Sequence, residues 1–450
     1  MEKDLKNIAK FYFLGIGGIG MSGLARYFKQ TGKSVVGYDK TATEITAGLV
    51  SFGIDVNFAD TVEAIPEGYT DPKETLVVYT PAIPKNSVQL NYFREGGFTL
   101  MKRAEVLGMV TRDTYCFAVA GTHGKTTTTS ILAHLLKETG TPITAFLGGV
   151  SENFNSNFLM EGTDYTVVEA DEFDRSFLHL SPDIACVTSM DADHLDIYGD
   201  KSALEASFRE FTKRLKPGGK LFVKSGLPLE GITYGLEDES DYNIQDIQLS
   251  NSTYLFTVRT PVGIIQDVTF SKPGRHNLLN ALAAFAMAAE LGAPHSRLAE
   301  ALATFKGIKR RFSYHINRED LVYIDDYAHH PSEIDAVCEA VRSAHPGKKV
   351  LAVFQPHLFS RTRDFADEFA ESLSGFDALV MLEIYPAREL PIPGVTADWL
   401  LEKVKLKDKR LLEKAALPEY LKQAEAEVIL TIGAGDIGVE VERIKKVLNS

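Results

Sequence analysis

Between the apolar run 115–119 and the amphipathic run 131–137 stands AGTHGKTTTT, residues 120–129. Strand, glycine-rich turn and helix in that order aim successive backbone N–H groups and a helix N-terminus at one spot, which suits a polyphosphate. Gly121 and Gly124 let the backbone approach the phosphates, with Thr122, His123 and Thr127 completing the loop. Lys125 can reach the β and γ oxygens, and the Thr126 hydroxyl can hold Mg²⁺. The longer G-x-x-x-x-G-K-[ST] pattern is not met, because Val119 stands where its first glycine would be. A threonine-rich helix start with a chance Gly-Lys pair is the plain alternative, and the flanking strand and helix weigh against it.

At 450 residues the chain is too long for one ordinary core and suggests about three domains of ~150 residues each. Apolar residues at 44% and charged residues at 24% are those of a globular protein. The N-terminal segment runs from charged residues straight into a strand-like run, without the apolar core or cleavage site of a signal peptide. No apolar stretch approaches the roughly 20 residues that span a bilayer. Three widely spaced cysteines, Cys116, Cys186 and Cys338, read as reduced, mostly buried thiols. The expectation is a cytoplasmic protein with no membrane partner. A net charge of −13 argues against nucleic acid, so any anionic ligand must be held by local loops and a few basic residues.

Strand-like runs alternate with helical ones along the whole chain, which implies parallel sheets covered on both faces. The expected parts are residues 1–107, 108–308 and 309–450. Each is an α/β unit on a mostly parallel sheet: a Rossmann-like first domain, a central phosphate-loop domain and a Rossmann-like third. TYLFTVRTPVGIIQDVTF alternates like a hairpin, and GRHNLLNALAAFAMAAELG reads as a long helix ending at Gly292.

Five further constellations carry chemistry. GIGGIG, with Gly15, Gly17, Gly18 and Gly20, follows a strand and precedes a helix, and Asp39 closes the next strand. Alone this spells a dinucleotide site and an NAD-dependent oxidoreductase. Gly433, Gly435 and Gly438 repeat the spacing near the C-terminus, so the pattern supports a diphosphate without specifying nicotinamide. Glu169 and Asp171 end one strand, and Asp191, Asp193 and His194 the next, where strand ends converge beside the phosphate loop. One acid with Thr126 can hold Mg²⁺, and His194 with a neighbouring acid could serve a second site. A helix start would also explain the DADHLD acids. Asn277 and Asn280 share one face at a helix start, where capping is the plain alternative. In the third region Lys309, Arg310 and Arg311 precede DDYAHHP, which gathers Asp325, Asp326, Tyr327, His329 and His330 behind a strand. FQPHLFSRTRD adds His357 and the pair Arg361 and Arg363, suited to a carboxylate or phosphate.

The order glycine turn, GTHGKTTTT, EADEFD, MDADHLD, GRHNLLNALAA, RRF, DDYAHHPSEI, FQPH resembles the Mur ligase family across essentially the whole chain. The resemblance implies an ATP-dependent amide ligase of peptidoglycan precursor synthesis, working through an acyl phosphate. Its parts would be a UDP-substrate domain, a central ATPase and a third domain that completes the ATP and amino-acid sites. GIGGIGMSGLA, His123 and DDYAHHPSE imply UDP-N-acetylmuramate and L-alanine as substrates, ATP and Mg²⁺ as cofactors, and a monomer or weak homodimer. A ligase adding a preformed peptide to the same sugar nucleotide is the nearest rival. Carried over, Lys125 would contact the γ-phosphate, Thr126 and Glu169 would hold the first Mg²⁺, and His194 would help with the second. Asn277 and Asn280 would lie near adenine. Arg311, Asp326, Tyr327 and His329 would serve ATP and the reacting groups, with His329 as candidate base. Arg361 and Arg363 would bind the alanine carboxylate, and Gly15 to Gly20 the diphosphate of UDP. The chain departs from the family pattern at Leu358 and Phe359, where arginine and an aromatic residue are usual, and at Phe173 in EADEFD, where a small residue is common.

Overall fold

The computed structural model describes residues 5–191, 198, 200–250, 253–387 and 389–450. It falls into two compact units: residues 1–246, 257–268 and 279–306 form one, and residues 247–256, 269–278 and 307–450 the other. No helix among the described residues is long and apolar enough to cross a membrane.

The first unit begins with an all-parallel sheet whose spatial order is Asp55–Asn57, Ser34–Tyr38, Lys10–Leu14, Thr75–Tyr79, Thr99–Lys102. Its central strand KFYFL is buried on both faces, as parallel strands require. Phe11 stacks on Phe28 at 3.8 Å between centroids, while Tyr12 meets Phe93 at 4.8 Å on the opposite face. The glycine turn leaves the C-terminal end of this strand, where the strand order turns back on itself.

A ten-stranded sheet follows, in the order Gly263–Phe270, Thr253–Thr260, Tyr242–Ser250, Ile232–Leu236, Lys220–Lys224, Ile184–Val187, Tyr115–Ala120, Tyr165–Glu169, Ile143–Ser151, Ser156–Met160. The phosphate-loop strand Tyr115–Ala120 sits between two parallel partners. The two regions expected as separate first and central domains share one apolar cluster, which joins Phe11, Phe13 and Phe28 to Ala118, Val168, Phe177 and Phe208. Helix Ile19–Gln30 packs on the pair Ile143–Ser151 and Ser156–Met160. Asn157 fixes that contact by donating to the Ile19 carbonyl at 2.6 Å and accepting from Arg26. This shared core is why they form one compact unit.

The second unit carries a six-stranded sheet ordered Ser313–Asn317, Val322–Asp326, Val428–Ile432, Val350–Phe354, Ala378–Met381, Lys409–Leu411. Only the first pair is antiparallel. Val322–Asp326, Val428–Ile432 and Val350–Phe354 are buried throughout, and their C-terminal ends lie side by side. The expected long helix runs Arg275–Ala289 and is followed by a turn to Gly292 at φ 76°.

Candidate active site

The loop after Ala120 is shaped by close approach. Gly121 has φ 135°, and a Cβ there would lie 2.1 Å from Thr188 Oγ1 and 2.8 Å from the Ser189 nitrogen. Gly124 caps helix Lys125–Glu138 at φ 83°, and its Cβ would meet Asn280 Oδ1 at 2.5 Å. Only glycine fits either position. The strand end Thr188–Ser189 cradles the loop from outside. Ser189 Oγ accepts the His123 N–H at 2.7 Å, Thr188 Oγ1 donates to the His123 carbonyl, and Thr122 Oγ1 donates to the Asp191 carbonyl at 2.9 Å. His123 Nε2 lies 3.8 Å from Asp191 Oδ2. Behind the helix start, Thr128 Oγ1 donates to Asn280 Oδ1 at 3.2 Å, so Asn280 stands against the loop itself.

Lys125 turns its ammonium back over the loop, donating to the Gly121 carbonyl at 2.7 Å and the Thr122 carbonyl at 3.2 Å. Its counter-charge is Glu172, 2.8 Å away and 1% exposed. Burial opposes the lysine's charge, but the carboxylates of Glu172, Asp171 and Glu169 outweigh it and raise its pKa. Burial also pushes the Glu172 carboxyl up to about 7 against the pull of Lys125. Glu169 ends its strand in register with Val119, one residue short of Ala120 and the loop. Its carboxylate leans over Gly148, where a Cβ would meet Oε2 at 2.0 Å.

The glycine turn is built in the same unit. Gly15 at φ 83° and Ile16 both donate to the Tyr38 carbonyl, at 2.8 and 3.0 Å. Gly17 donates to Asp39 Oδ2 at 2.8 Å. Helix Ile19–Gln30 starts at Gly18 with no side-chain cap and no acid in its first turn. Gly20 leaves room for Arg103, whose Nη1 would lie 2.8 Å from a Cβ there, and Arg103 reaches Asp171 at 3.7 Å.

In the second unit the strand ends gather a second polar cluster. Asp325 is fully buried and accepts from Arg310 Nε at 2.9 Å and Thr431 Oγ1 at 2.8 Å. Asp326 accepts two backbone N–H groups, Phe312 and Ala328, both at 2.7 Å. Burial pushes its carboxyl up to about 6, with Arg311 and those donors pulling the other way. Tyr327 lies under two guanidinium groups, Arg310 at 5.2 Å and Arg311 at 5.3 Å. Glu333 collects the His329 N–H at 2.9 Å and lies 3.2 Å from His329 Nδ1 and 3.8 Å from Arg311. His329 and His357 rings are 6.0 Å apart. Arg310, Phe312 and Leu358 hold φ of 63°, 51° and 72°, a concentration of left-handed non-glycine residues that marks strained, over-determined backbone. Asn277 bonds the Pro273 carbonyl at 2.6 Å.

Most residues singled out from the sequence therefore fall into three local clusters. Arg361 and Arg363 do not converge. Helix Phe359–Asp364 turns residues two apart to different sides, leaving Arg361 buried and Arg363 exposed against Asp364 at 2.7 Å. Asp39 is engaged by the turn, and Asp326 by the backbone. His194 and Asp193 lie outside the described residues. Sequence reasoning missed Glu172, Thr188, Ser189 and Glu333. Only Glu333 left a signal, four residues after His329 at a helix start.

Three family models match in sequence order. Residues 10–115 match the Mur ligase family catalytic domain, 119–288 the Mur ligase middle domain and 310–437 the Mur ligase glutamate ligase domain. The chain belongs to the Mur ligase family. Among relatives, this Mur ligase is 58% identical to the UDP-N-acetylmuramate–L-alanine ligase of Christiangramia forsetii, over 99% of each chain. It is equally 58% identical, with the same coverage, to the ligase of that name from Flavobacterium psychrophilum. Among solved structures it superposes on UDP-N-acetylmuramate-alanine ligase from Thermotoga maritima with a TM-score of 0.84 at 29% identity, covering 97% of this chain and 98% of that one. A murein peptide ligase from Psychrobacter arcticus shares the fold, with a TM-score of 0.71 at 23% identity and coverage of 98% and 99%.

Proposed function

We infer that the chain is an ATP-dependent ligase that joins L-alanine to UDP-N-acetylmuramate, releasing ADP and phosphate, in peptidoglycan precursor synthesis. The observation that carries this is the 58% identity, across 99% of the chain, to ligases of that activity. Neither the peptide-adding ligase nor the oxidoreductase is favoured by it. Residues 1–107 serve the UDP-substrate, 108–308 ATP, and 309–450 the amino-acid chemistry. ATP and a UDP-sugar as substrates make this a cytoplasmic step.

Amide formation from a carboxylate and an amine runs uphill in water unless the carboxylate is activated. A lactyl carboxylate oxygen attacks the γ-phosphorus of ATP, ADP leaves, and an acyl phosphate results. The amine of alanine attacks the acyl carbon and phosphate departs. Gly121 to Thr127 cradle the polyphosphate, and Lys125 offsets charge on the transferred group. Thr126 is the second residue of the helix that follows the loop, and Glu169 ends the adjacent strand. Together they offer the oxygen-only donors that Mg²⁺ takes, and His194 would add to a second site. Mg²⁺ held there would neutralise phosphate charge. Gly15, Gly17, Gly18 and Gly20 receive the UDP diphosphate. In the second unit, Arg311 and Tyr327 supply charge and a ring face for the nucleotide, and Asp326 braces their loop. His329 takes the proton of the alanine ammonium. Its Nδ1 faces the Tyr327 carbonyl at 3.0 Å and Glu333, so a proton on Nδ1 makes Nε2 the basic nitrogen. Arg361, buried in its short helix, is the better candidate of its pair for a carboxylate.

The test is phosphate release from ATP with UDP-N-acetylmuramate and, in turn, alanine, serine, glycine or a tripeptide. Release with alanine is expected, and release with the tripeptide alone would overturn the assignment. Lys125→Ala should abolish turnover while UDP-N-acetylmuramate still binds.

A further inference from the structure

The partners of Lys125 include one that takes no part in the phosphoryl transfer. Its ammonium has three donors, and the Gly121 carbonyl, the Thr122 carbonyl and the Glu172 carboxylate take up their directions. Two of these acceptors belong to the phosphate loop. The third arrives from the segment after strand Tyr165–Glu169, which is built with unusual constraint.

Asp174 and Arg175 both hold left-handed backbone, at φ 52° and 54°, a conformation that two consecutive non-glycine residues keep only when their surroundings impose it. The surroundings are visible. Asp174 pairs with Lys102 at 2.8 Å, Asp171 with Arg103 at 3.7 Å, and the Glu172 carbonyl accepts the Tyr198 hydroxyl at 2.6 Å and the Arg175 N–H at 2.9 Å. Asp171, Asp174, Arg175 and the Glu172 carbonyl are all fastened, so the Glu172 carboxylate is presented to Lys125 from a fixed place. A buried carboxylate beside the lysine of a phosphate loop has a cost for ligand binding. It repels polyphosphate and neutralises the charge that should attract it.

We propose that Glu172 is a positioning residue that tunes the phosphate loop: it holds the Lys125 ammonium down on the loop carbonyls, and a nucleotide's polyphosphate must take the ammonium from it. The effect is to moderate affinity for ADP and ATP alike, which favours release of ADP after turnover. This rests on the reading of residues 121–127 as the ATP site. An inert ion pair that merely staples the segment would predict loss of stability and no coupled change in affinity.

The experiment is calorimetric titration of ADP into the full chain and its Glu172→Gln, Lys125→Ala and double variants, with thermal midpoints recorded for each. Glu172→Gln should tighten ADP by roughly tenfold and lower the KM for ATP, and the tightening should vanish in the Lys125→Ala background. An unchanged or weaker ADP affinity in folded Glu172→Gln overturns the proposal, whether or not the midpoint falls. So does a tightening that persists without Lys125. Should Glu172→Gln fail to fold, Glu172→Asp draws the charge back by one methylene and should tighten ADP to a smaller degree; no tightening there overturns it equally. Equal ADP binding by the unsubstituted chain and Lys125→Ala would instead sink the ATP-site reading. Weakening by Lys125→Ala without tightening by the Glu172 variants would sink this inference alone.

Discussion

The Asp39 carboxylate accepts the Gly17 N–H at 2.8 Å, so the acid that a dinucleotide site would spend on a ribose here closes the glycine turn. Its other oxygen accepts the Thr41 N–H at 3.1 Å. Asp39→Ala strands both donors and should cost about 1–2 kcal/mol of stability, read from urea unfolding, together with weaker binding of UDP-N-acetylmuramate. Asp39→Asn keeps an acceptor for Gly17 and should recover most of both. Equal damage from Asn and Ala would mean that the charge, and not the turn, is what matters.

Gly121 is the least replaceable residue of the loop. A Cβ there meets Thr188 Oγ1 at 2.1 Å and the Ser189 nitrogen at 2.8 Å, and backbone cannot step aside as a side chain can. Gly121→Ala should lose at least a hundredfold in turnover and about 2–3 kcal/mol in stability. Gly140→Ala separates strain from collision. It has φ 89° with nothing within 4 Å, so it should cost about 1 kcal/mol and leave turnover intact. A matching loss of turnover in both variants would assign the effect to backbone strain.

The phosphate loop, the glycine turn and the main buried strands were legible because each is a local pattern. YCFAVA before GTHGKT, and VYIDD, VLAVF and VILTI in the second unit, are continuous apolar runs bounded by polar turns. The short edge strands were not, since Lys409–Leu411 reads KRL, two charged residues and one apolar, too short to show a period. The shared core of the first two sheets was also hidden. It depends on residues as distant as Arg26 and Asn157 meeting, and nothing in the spacing of either announces it. Glu172 was hidden for another reason. In EADEFD four acids look alike, and the left-handed turn at Asp174 and Arg175 belongs to residues that carry no glycine-like signal.

His276 gives the second unit an acid-sensitive point. Its ring lies over Gly274, where a Cβ would meet Cε1 at 2.4 Å. Burial, reinforced by the Arg311 guanidinium and opposed by Glu333, lowers its pKa from 6.5 to about 4. The unfolded chain therefore binds a proton between pH 6.5 and pH 4 that the folded one refuses. The contribution of His276 is complete above pH 6.5 and is lost as pH drops through that window, by at most about 2 kcal/mol at pH 5, since the ring keeps some contact with solvent. Glu172 and Asp326, whose carboxyls burial raises, shift the unsubstituted chain and His276→Asn alike. The difference between the two in urea unfolding at pH 7.5 and pH 5 is therefore the His276 share: His276→Asn should lose less stability, or gain more, on acidification. Identical pH dependence in the two would remove His276 as its source.

Arg310 and Asp325 form the innermost ion pair of the second unit, and their two truncations should differ. Asp325 has no exposed surface, while Arg310 is 26% exposed at its side chain and also donates to the Gly433 carbonyl at 2.7 Å. Gly438 accommodates the guanidinium, which would lie 2.4 Å from a Cβ there. Arg310→Ala leaves a carboxylate buried with the Thr431 hydroxyl as its remaining bonded donor and should cost about 3 kcal/mol. Asp325→Asn leaves a guanidinium that can still reach Gly433 and water, and should cost about 1 kcal/mol. The double variant should fall between them, because the buried charge left by the first change is removed by the second. Urea midpoints of the three variants decide the order. A larger loss from Asp325→Asn than from Arg310→Ala would show that the guanidinium, and not the carboxylate, is the group that cannot stand alone.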